Sequence, residues 1–215
     1  MKEAGDVYLR EGYSMSDVFT TGILQRGRDG KLVEEGNGYQ VDRSQRIRLG
    51  SADPDFTMGW RHDINYKNIS LGLMITGRFG GIVTSQTQAF MDAFGVSKVS
   101  AEARDNGGVM LDGHRYDAER YYNTVGGQGL MSYYTYDATN VRLQELSLTY
   151  SLPKKWLGDV FNNATISFVG RNLFMFYRKA PFDPDMNGST GTYNRSDFFM
   201  APSLRNLGFS IKFSL

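Results

Sequence analysis

From Phe56 to Lys67 the even positions read Phe56, Met58, Trp60, His62, Ile64 and Tyr66, while the odd ones read Thr57, Gly59, Arg61, Asp63, Asn65 and Lys67. Only His62 interrupts a period-two alternation, the signature of a strand with one apolar face. The pattern resumes as Ile69, Leu71, Leu73, Ile75, Gly77 and Phe79 against Ser70, Gly72, Met74, Thr76 and Arg78. Only Lys67-Asn68 lies between, which predicts a tight hairpin. Two more strands close the chain. One covers Thr165 to Tyr177 and is amphipathic mainly in its first half. The other covers Ser203 to Leu215, with Leu207, Phe209, Ile211, Phe213 and Leu215 on one face. A strand over Val141 to Tyr150 changes apolar phase from Val141 and Leu143 to Leu146, Leu148 and Tyr150, which predicts a β-bulge near Glu145. Weaker strands are expected over Asp6 to Arg10 and Asp17 to Arg26.

The connections are lopsided. Lys67-Asn68 is minimal, and Leu152 to Asn163 is a modest turn with a helical start after Pro153. Gly27 to Asp55, Gly80 to Asn140 and Arg178 to Pro202 are long, with a short helix expected near Thr84 to Phe94. Strands of about 11 to 12 residues are long for a globular domain and suit a tilted membrane strand. If the last strand descends inward, every long connection falls on one side, the asymmetry of bacterial outer-membrane barrels.

Composition agrees with strands. The chain has 13 Tyr, 14 Phe and 25 Gly against 5 Pro. Its mean hydropathy of −0.40 does not separate a soluble protein from a barrel, whose strands show lipid only at every second residue. A net charge of +1 argues against nucleic acid as a partner, and the absence of Cys excludes disulfides, a thiolate nucleophile and Cys-held zinc. No apolar run is long enough for a membrane-spanning helix, and Met1 to Asp6 lacks the apolar stretch of a secretory signal.

Several stretches resemble the SusC/RagA group of TonB-linked outer-membrane transporters. They are Leu49-Gly-Ser-Ala-Asp-Pro-Asp-Phe56, Tyr66-Lys-Asn-Ile-Ser-Leu71, Gly77-Arg-Phe-Gly-Gly81 and, most specifically, Val141-Arg-Leu-Gln-Glu-Leu-Ser-Leu-Thr-Tyr-Ser-Leu-Pro153. Gly170-Arg-Asn-Leu-Phe174 and Asp183-Pro-Asp185 follow in the family's order. The resemblance implies an all-β chain: an antiparallel transmembrane β-barrel segment of about seven to eight strands from a roughly 22-stranded barrel, with long extracellular loops and short helices in them. Residues 1–215 would then be the C-terminal part of a TonB-dependent receptor barrel, without plug domain or signal peptide. It further implies import of oligosaccharides or peptides at the cell outer membrane, contact with outer-membrane lipid, a SusD-like lipoprotein as lid, and the TonB complex acting through a missing N-terminal part. Family members usually end on an aromatic residue, whereas this chain ends on Leu215.

No cofactor, metal or catalytic residue is expected, and the chain is read as non-enzymatic. Asp183-Pro184-Asp185-Met186-Asn187-Gly188 mimics half of a calcium loop, but Asn194 stands where the bidentate Glu belongs. Asp29-Gly30, after Arg26-Gly27-Arg28, reads as a turn. His62 and His114 are the only histidines and show no triad-like setting. Glu102, Asp105, Asp112, Asp117 and Glu119 supply acids without a glycosidase arrangement. The candidate ligand contacts are Tyr116, Tyr121, Tyr122, Tyr133, Tyr134 and Tyr136, whose rings can stack on sugars or pack at an interface. The alternative reading is a secreted carbohydrate-binding β-sandwich module, which predicts strands of about six residues.

Overall fold

The structure is a computed structural model that describes residues 2–4, 7–9, 11–157, 161–185 and 196–214. Its strands run β1 Lys2–Ala4, β2 Val7–Leu9, β3 Asp17–Leu24, β4 Glu34–Glu35, β5 Gly38–Tyr39, β6 Val41–Ser51, β7 Phe56–Tyr66 and β8 Ile69–Phe79. They continue as β9 Ile82–Ser85, β10 Val109–Leu111, β11 His114–Tyr116, β12 Thr135–Asp137, β13 Asn140–Ser151, β14 Asn163–Arg178, β15 Ser196–Asp197 and β16 Asn206–Ser214. The α-helices are α1 Gln86–Ala93, α2 Lys98–Asp105 and α3 Ala118–Val125. The chain divides into two compact units that interleave in sequence. The first holds 1–53, 81–137 and 186–201, and the second 54–80, 138–185 and 202–215.

The second unit is the part that period-two alternation announced. Its five strands form one antiparallel sheet in the order β16-β14-β13-β8-β7. The hairpin turn is Lys67-Asn68, with Lys67 at a φ of 52°, and Asn68 Nδ2 donates to the Ser151 carbonyl at 2.8 Å. The expected bulge is present: Leu143 faces Phe174 but Glu145 faces Arg171, and Asn172 takes a φ of 54°. Beyond it the apolar faces align across all the strands. Ile64, Leu71, Leu148, Phe168 and Phe209 form one cross-strand row, and Tyr66, Ile69, Tyr150, Ile166 and Ile211 the next. The other face carries Asn65, Ser70, Thr149, Ser167 and Ser210 in register. The apolar face lies open: Trp60, Ile64, Leu148, Phe168 and Phe209 are all exposed.

The fold differs from the expected all-β barrel segment. Among the described residues the sheets contain two, three or five strands and none closes, and helices form part of the chain. Within its own sheet β7 pairs only with β8, and β16 only with β14. Closing a sheet requires its two edge strands to pair, and about eight strands make the small barrels. A C-terminal barrel fragment with transmembrane strands is therefore replaced by an open five-stranded sheet joined to a mixed helix-and-strand unit. No helix among the described residues is long and apolar enough to cross a membrane. The sandwich alternative also lacks support, since among the described residues of the second unit no further sheet covers the apolar face.

The first unit corrects a second expectation. Gly27 to Asp55 contains β4, β5 and β6, and Gly80 to Asn140 contains all the α-helices and four short strands. These stretches are a folded body, not loops. Their elements are two to four residues long, apart from β6 and the eight-residue helices, and that is too short to set up a dominant period. The helix expected near Thr84 to Phe94 is α1, and the helical start after Pro153 is a 3-10 turn over Lys154–Trp156. β3 and β2 lie within the weak strands expected over Asp17 to Arg26 and Asp6 to Arg10, although Asp6 and Arg10 lie outside the described residues. Leu215 lies outside them as well, so the described last strand ends at Ser214. The core of this unit joins Leu24, Leu32, Ala89, Val125 and Leu130 to five tyrosines, Tyr39, Tyr116, Tyr121, Tyr122 and Tyr134. Here the aromatic rings supply the volume that aliphatic side chains supply in most cores.

Candidate functional site

Helix ends in the first unit build a pocket of about 300 Å³, at the small end of the range for ligand sites. Each helix starts on a side-chain cap. Ser85 Oγ accepts the Gln88 N–H at 3.0 Å, Ser97 Oγ the Ser100 N–H at 3.0 Å, and Asp117 Oδ1 the Arg120 N–H at 2.9 Å. Ser85 Oγ also donates to the buried Asp197 Oδ2 at 2.8 Å, where β15 runs parallel to β9. After α1 the chain turns at Gly95, with a φ of 69°, and Arg104 Nη1 donates to the Gly95 carbonyl at 2.7 Å. That bond draws the end of α2 to the end of α1.

The pocket walls mix charge, amide and ring. Arg104, Glu119, Asn123, Tyr122, Asp92 and Phe94 all line it. Phe94 lines the pocket and is 78% exposed. Asp92 is buried and Oδ1 accepts from Gln88 Nε2 at 2.8 Å. The arrangement can hold a small polar group between a guanidinium and a carboxylate, with one aromatic face beside it. No cluster of acids, histidines or cysteines among the described residues could hold a metal ion.

The six candidate tyrosines are brought together, but mostly inward. Tyr116, Tyr121, Tyr122 and Tyr134 are buried in the core, Tyr136 is half-buried on β12, and Tyr133 is 38% exposed. Tyr116 and Tyr133 use their hydroxyls as acceptors, for the Leu32 N–H at 3.1 Å and the Leu24 N–H at 3.2 Å. Tyr121 and Tyr122 meet edge to face at 5.2 Å. Burial pushes the hydroxyls of Tyr121, Tyr122, Tyr134 and Tyr136 above the ordinary tyrosine value, so they stay neutral. Of the six, only Tyr122 lines the pocket.

The other candidate chemistry dissolves into structure. His62 stacks on Trp60 at 5.6 Å, and His114 lies 6.4 Å from Tyr116. Asp112 pairs with Arg26 at 2.6 Å, Glu102 with Lys98 at 3.6 Å, and Asp117 caps α3. In the calcium-like stretch, Asp183 and Asp185 face the Arg142 guanidinium at 2.8 and 2.6 Å. Asn187, Gly188 and Asn194 lie outside the described residues. Sequence reading missed Arg104, Asn123 and Phe94. The signal available for Phe94 was its i, i+4 spacing from Phe90, whose ring lies 6.5 Å away.

No protein-family profile matches the chain. Two curated relatives come from Formosa agariphila. TonB-dependent receptor P3 is 29% identical over 222 residues, covering 94% of this chain and 22% of the relative. TonB-dependent receptor P26 is 26% identical over 192 residues, covering 84% and 19%. The RagAB peptide importer in its open-open state matches with a TM-score of 0.58 at 17% identity, over 93% of this chain and 22% of that one. A further structure of the RagAB peptide transporter matches at 0.57 and 13% identity, over 92% and 22%. The chain spans about a fifth of the length of the curated relatives it matches. These are receptors and transport proteins rather than enzymes, in line with a non-enzymatic chain, and the chain shares with the RagAB structures a common fold over nearly all of its length.

Proposed function

We propose that this chain is a working part of a TonB-dependent receptor that takes up oligomeric nutrients, oligosaccharides or peptides, at the outer membrane. One observation carries the reading: 29% identity to a TonB-dependent receptor extends over 94% of the chain, across both units. Peptide cargo draws support from the RagAB peptide importer, whose fold is matched. Oligosaccharide cargo draws support from the pocket, where the Phe94 and Tyr122 rings stand beside the Arg104, Glu119 and Asn123 polar groups. Tyr122 and the exposed Tyr133 are the tyrosines we assign to ligand contact, with Tyr116, Tyr121, Tyr134 and Tyr136 holding the body that presents them. A SusD-like surface lipoprotein and the TonB complex are the partners this reading requires, the latter acting through parts of the receptor outside this chain.

The test is uptake by host cells carrying the full gene, unaltered or with Phe94→Ala, Arg104→Ala and Asn123→Ala combined. Labelled peptide and oligosaccharide mixtures are supplied with and without a protonophore. Energy-dependent uptake of one class, reduced by the triple variant, supports the reading and identifies the cargo. Normal uptake by the variant removes the pocket from the account, and no energy-dependent uptake by the unaltered gene removes the receptor reading itself.

A further inference from the structure

The second unit contains a charged group that neither the sheet nor the proposed uptake accounts for. Arg142, near the start of β13, is only 5% exposed. A guanidinium so deep is tolerated only when its donors are taken. Nε donates to Asn140 Oδ1 at 3.3 Å, Nη1 to Asn172 Oδ1 at 3.2 Å, and Nη2 to Asp183 Oδ1 at 2.8 Å, with Asp185 Oδ2 2.6 Å from Nη2. The contacts reach both stems of the connection between β14 and β16. On the outgoing stem are Asp183 and Asp185. On the returning stem, the Ser203 hydroxyl donates to Asp183, and Asn172 Nδ2 donates to the Leu204 carbonyl at 3.3 Å.

The two carboxylates are not equivalent. The Asp183 side chain is 11% exposed and accepts from Arg142, from Ser203 and from the Asp185 backbone N–H at 3.1 Å. The Asp185 side chain is 36% exposed, and its further partners are more distant: Arg78 at 3.7 Å and Asn140 Nδ2 at 3.5 Å.

We propose that Arg142, Asp183 and Asp185 form a two-stage latch on the connection between β14 and β16, with Asp183 the fixed half and Asp185 the half that releases first. The charged groups facing Asp185 are Arg142 on β13, Arg78 on β8 and Asp183 on its own stem. Burial raises the Asp185 carboxyl above the ordinary value in spite of Arg142. Burial also acts to raise Asp183, but the bonds from Ser203, Arg142 and the Asp185 N–H outweigh it and leave it lowered. Falling pH therefore neutralises Asp185 while Asp183 still holds Arg142. Because the folded Asp185 takes its proton more readily than an unfolded one, this first stage loosens the stem without a loss of folding stability. Only further acid, through the lowered value of Asp183, removes the second contact.

Hydrogen-exchange protection at the Lys179 and Asp185 amides of the full 215-residue chain tests the latch. It is measured for wild type, Asp183→Asn, Asp185→Asn, Arg142→Met and the milder Arg142→Lys. Asp183→Asn and Arg142→Met are expected to lose about tenfold or more in protection, the scale of a lost bond to a charged group, and Asp185→Asn less than about threefold. Over a pH step from neutral down to the ordinary aspartate value of about 4, wild type is expected to converge on Asp185→Asn, which itself stays constant. Equal losses in Asp183→Asn and Asp185→Asn overturn the proposal, as does a wild type insensitive to that pH step. If Arg142→Met does not fold, Arg142→Lys replaces it, and unaltered protection in that variant overturns the proposal too.

Discussion

Thr124 Oγ1 accepts the backbone N–H of Tyr39 at 3.0 Å while donating to the Arg120 carbonyl at 2.8 Å, so one buried hydroxyl fastens β5 to α3. Thr124→Val keeps the shape and leaves the Tyr39 N–H unpaired in the core, which is expected to cost about 1–3 kcal/mol. Thr124→Ser retains the hydroxyl and should stay within about 1 kcal/mol of wild type. Denaturant unfolding of both variants measures the difference, and a Thr124→Val protein no less stable than Thr124→Ser would overturn the role given to the hydroxyl.

Gly126 follows α3 and lies against α1. A methyl group there would meet the Ala89 carbonyl oxygen and lie 3.1 Å from the Ala93 N. Its φ of −81° is ordinary, so the constraint is space and not backbone freedom. Gly126→Ala should therefore force the helices apart, lower stability by about 1–3 kcal/mol, and deform the pocket between them. Thermal unfolding reads the first effect and ligand titration the second.

High pH should weaken the first unit. Burial, with smaller contributions from Tyr133 and Tyr122, holds the Tyr121 hydroxyl above its ordinary value. Above about pH 10 the unfolded state loses that proton and the folded state keeps it, so stability falls as pH rises. Tyr121→Phe should move the fall to higher pH. Denaturant midpoints taken across this range test it, and coincident curves would assign the alkaline loss to another group.

The row Ile64, Leu71, Leu148, Phe168 and Phe209 presents a continuous apolar strip on the open sheet. Ile64 is 48%, Leu148 47% and Phe209 67% exposed. A patch of this kind on an isolated chain promotes association. The 215-residue chain should sediment as oligomers, and Ile64→Ser, Leu148→Ser and Phe209→Ser together should shift it toward monomer. Monomeric wild type at micromolar concentration would contradict this.

The sheet was legible and the helical body was not, for one reason. β7, β8 and β16 have one apolar face over nine to eleven residues, long enough for alternation to stand out. β6 alternates Val41, Arg43, Gln45, Ile47 and Leu49 with Asp42, Ser44, Arg46, Arg48 and Gly50, and polar side chains on both faces hide it. Helices α2 and α3 are eight residues each, and their clearest signals were the single caps Ser97 and Asp117. The tyrosines look like ligand contacts because a Tyr-rich stretch without aliphatic periodicity reads as surface. Leu130, with no exposure at all, shows that the same stretch encloses a core. Closure of the sheet could not be read from alternation, since the pattern is the same in an open sheet. Nor does any local pattern connect Arg142 with Asp183, which lie 41 positions apart.

The interleaving of the two units has a consequence for synthesis. The Ser85–Asp197 bond spans 112 positions, and β14 gains its outer neighbour only when β16 emerges. Neither unit can be finished until the chain has emerged through Asp197 and β16, because each unit draws segments from both sides of the other in sequence. Both bodies must therefore mature together and late, and a chain cut before Ser196 would leave each of them incomplete.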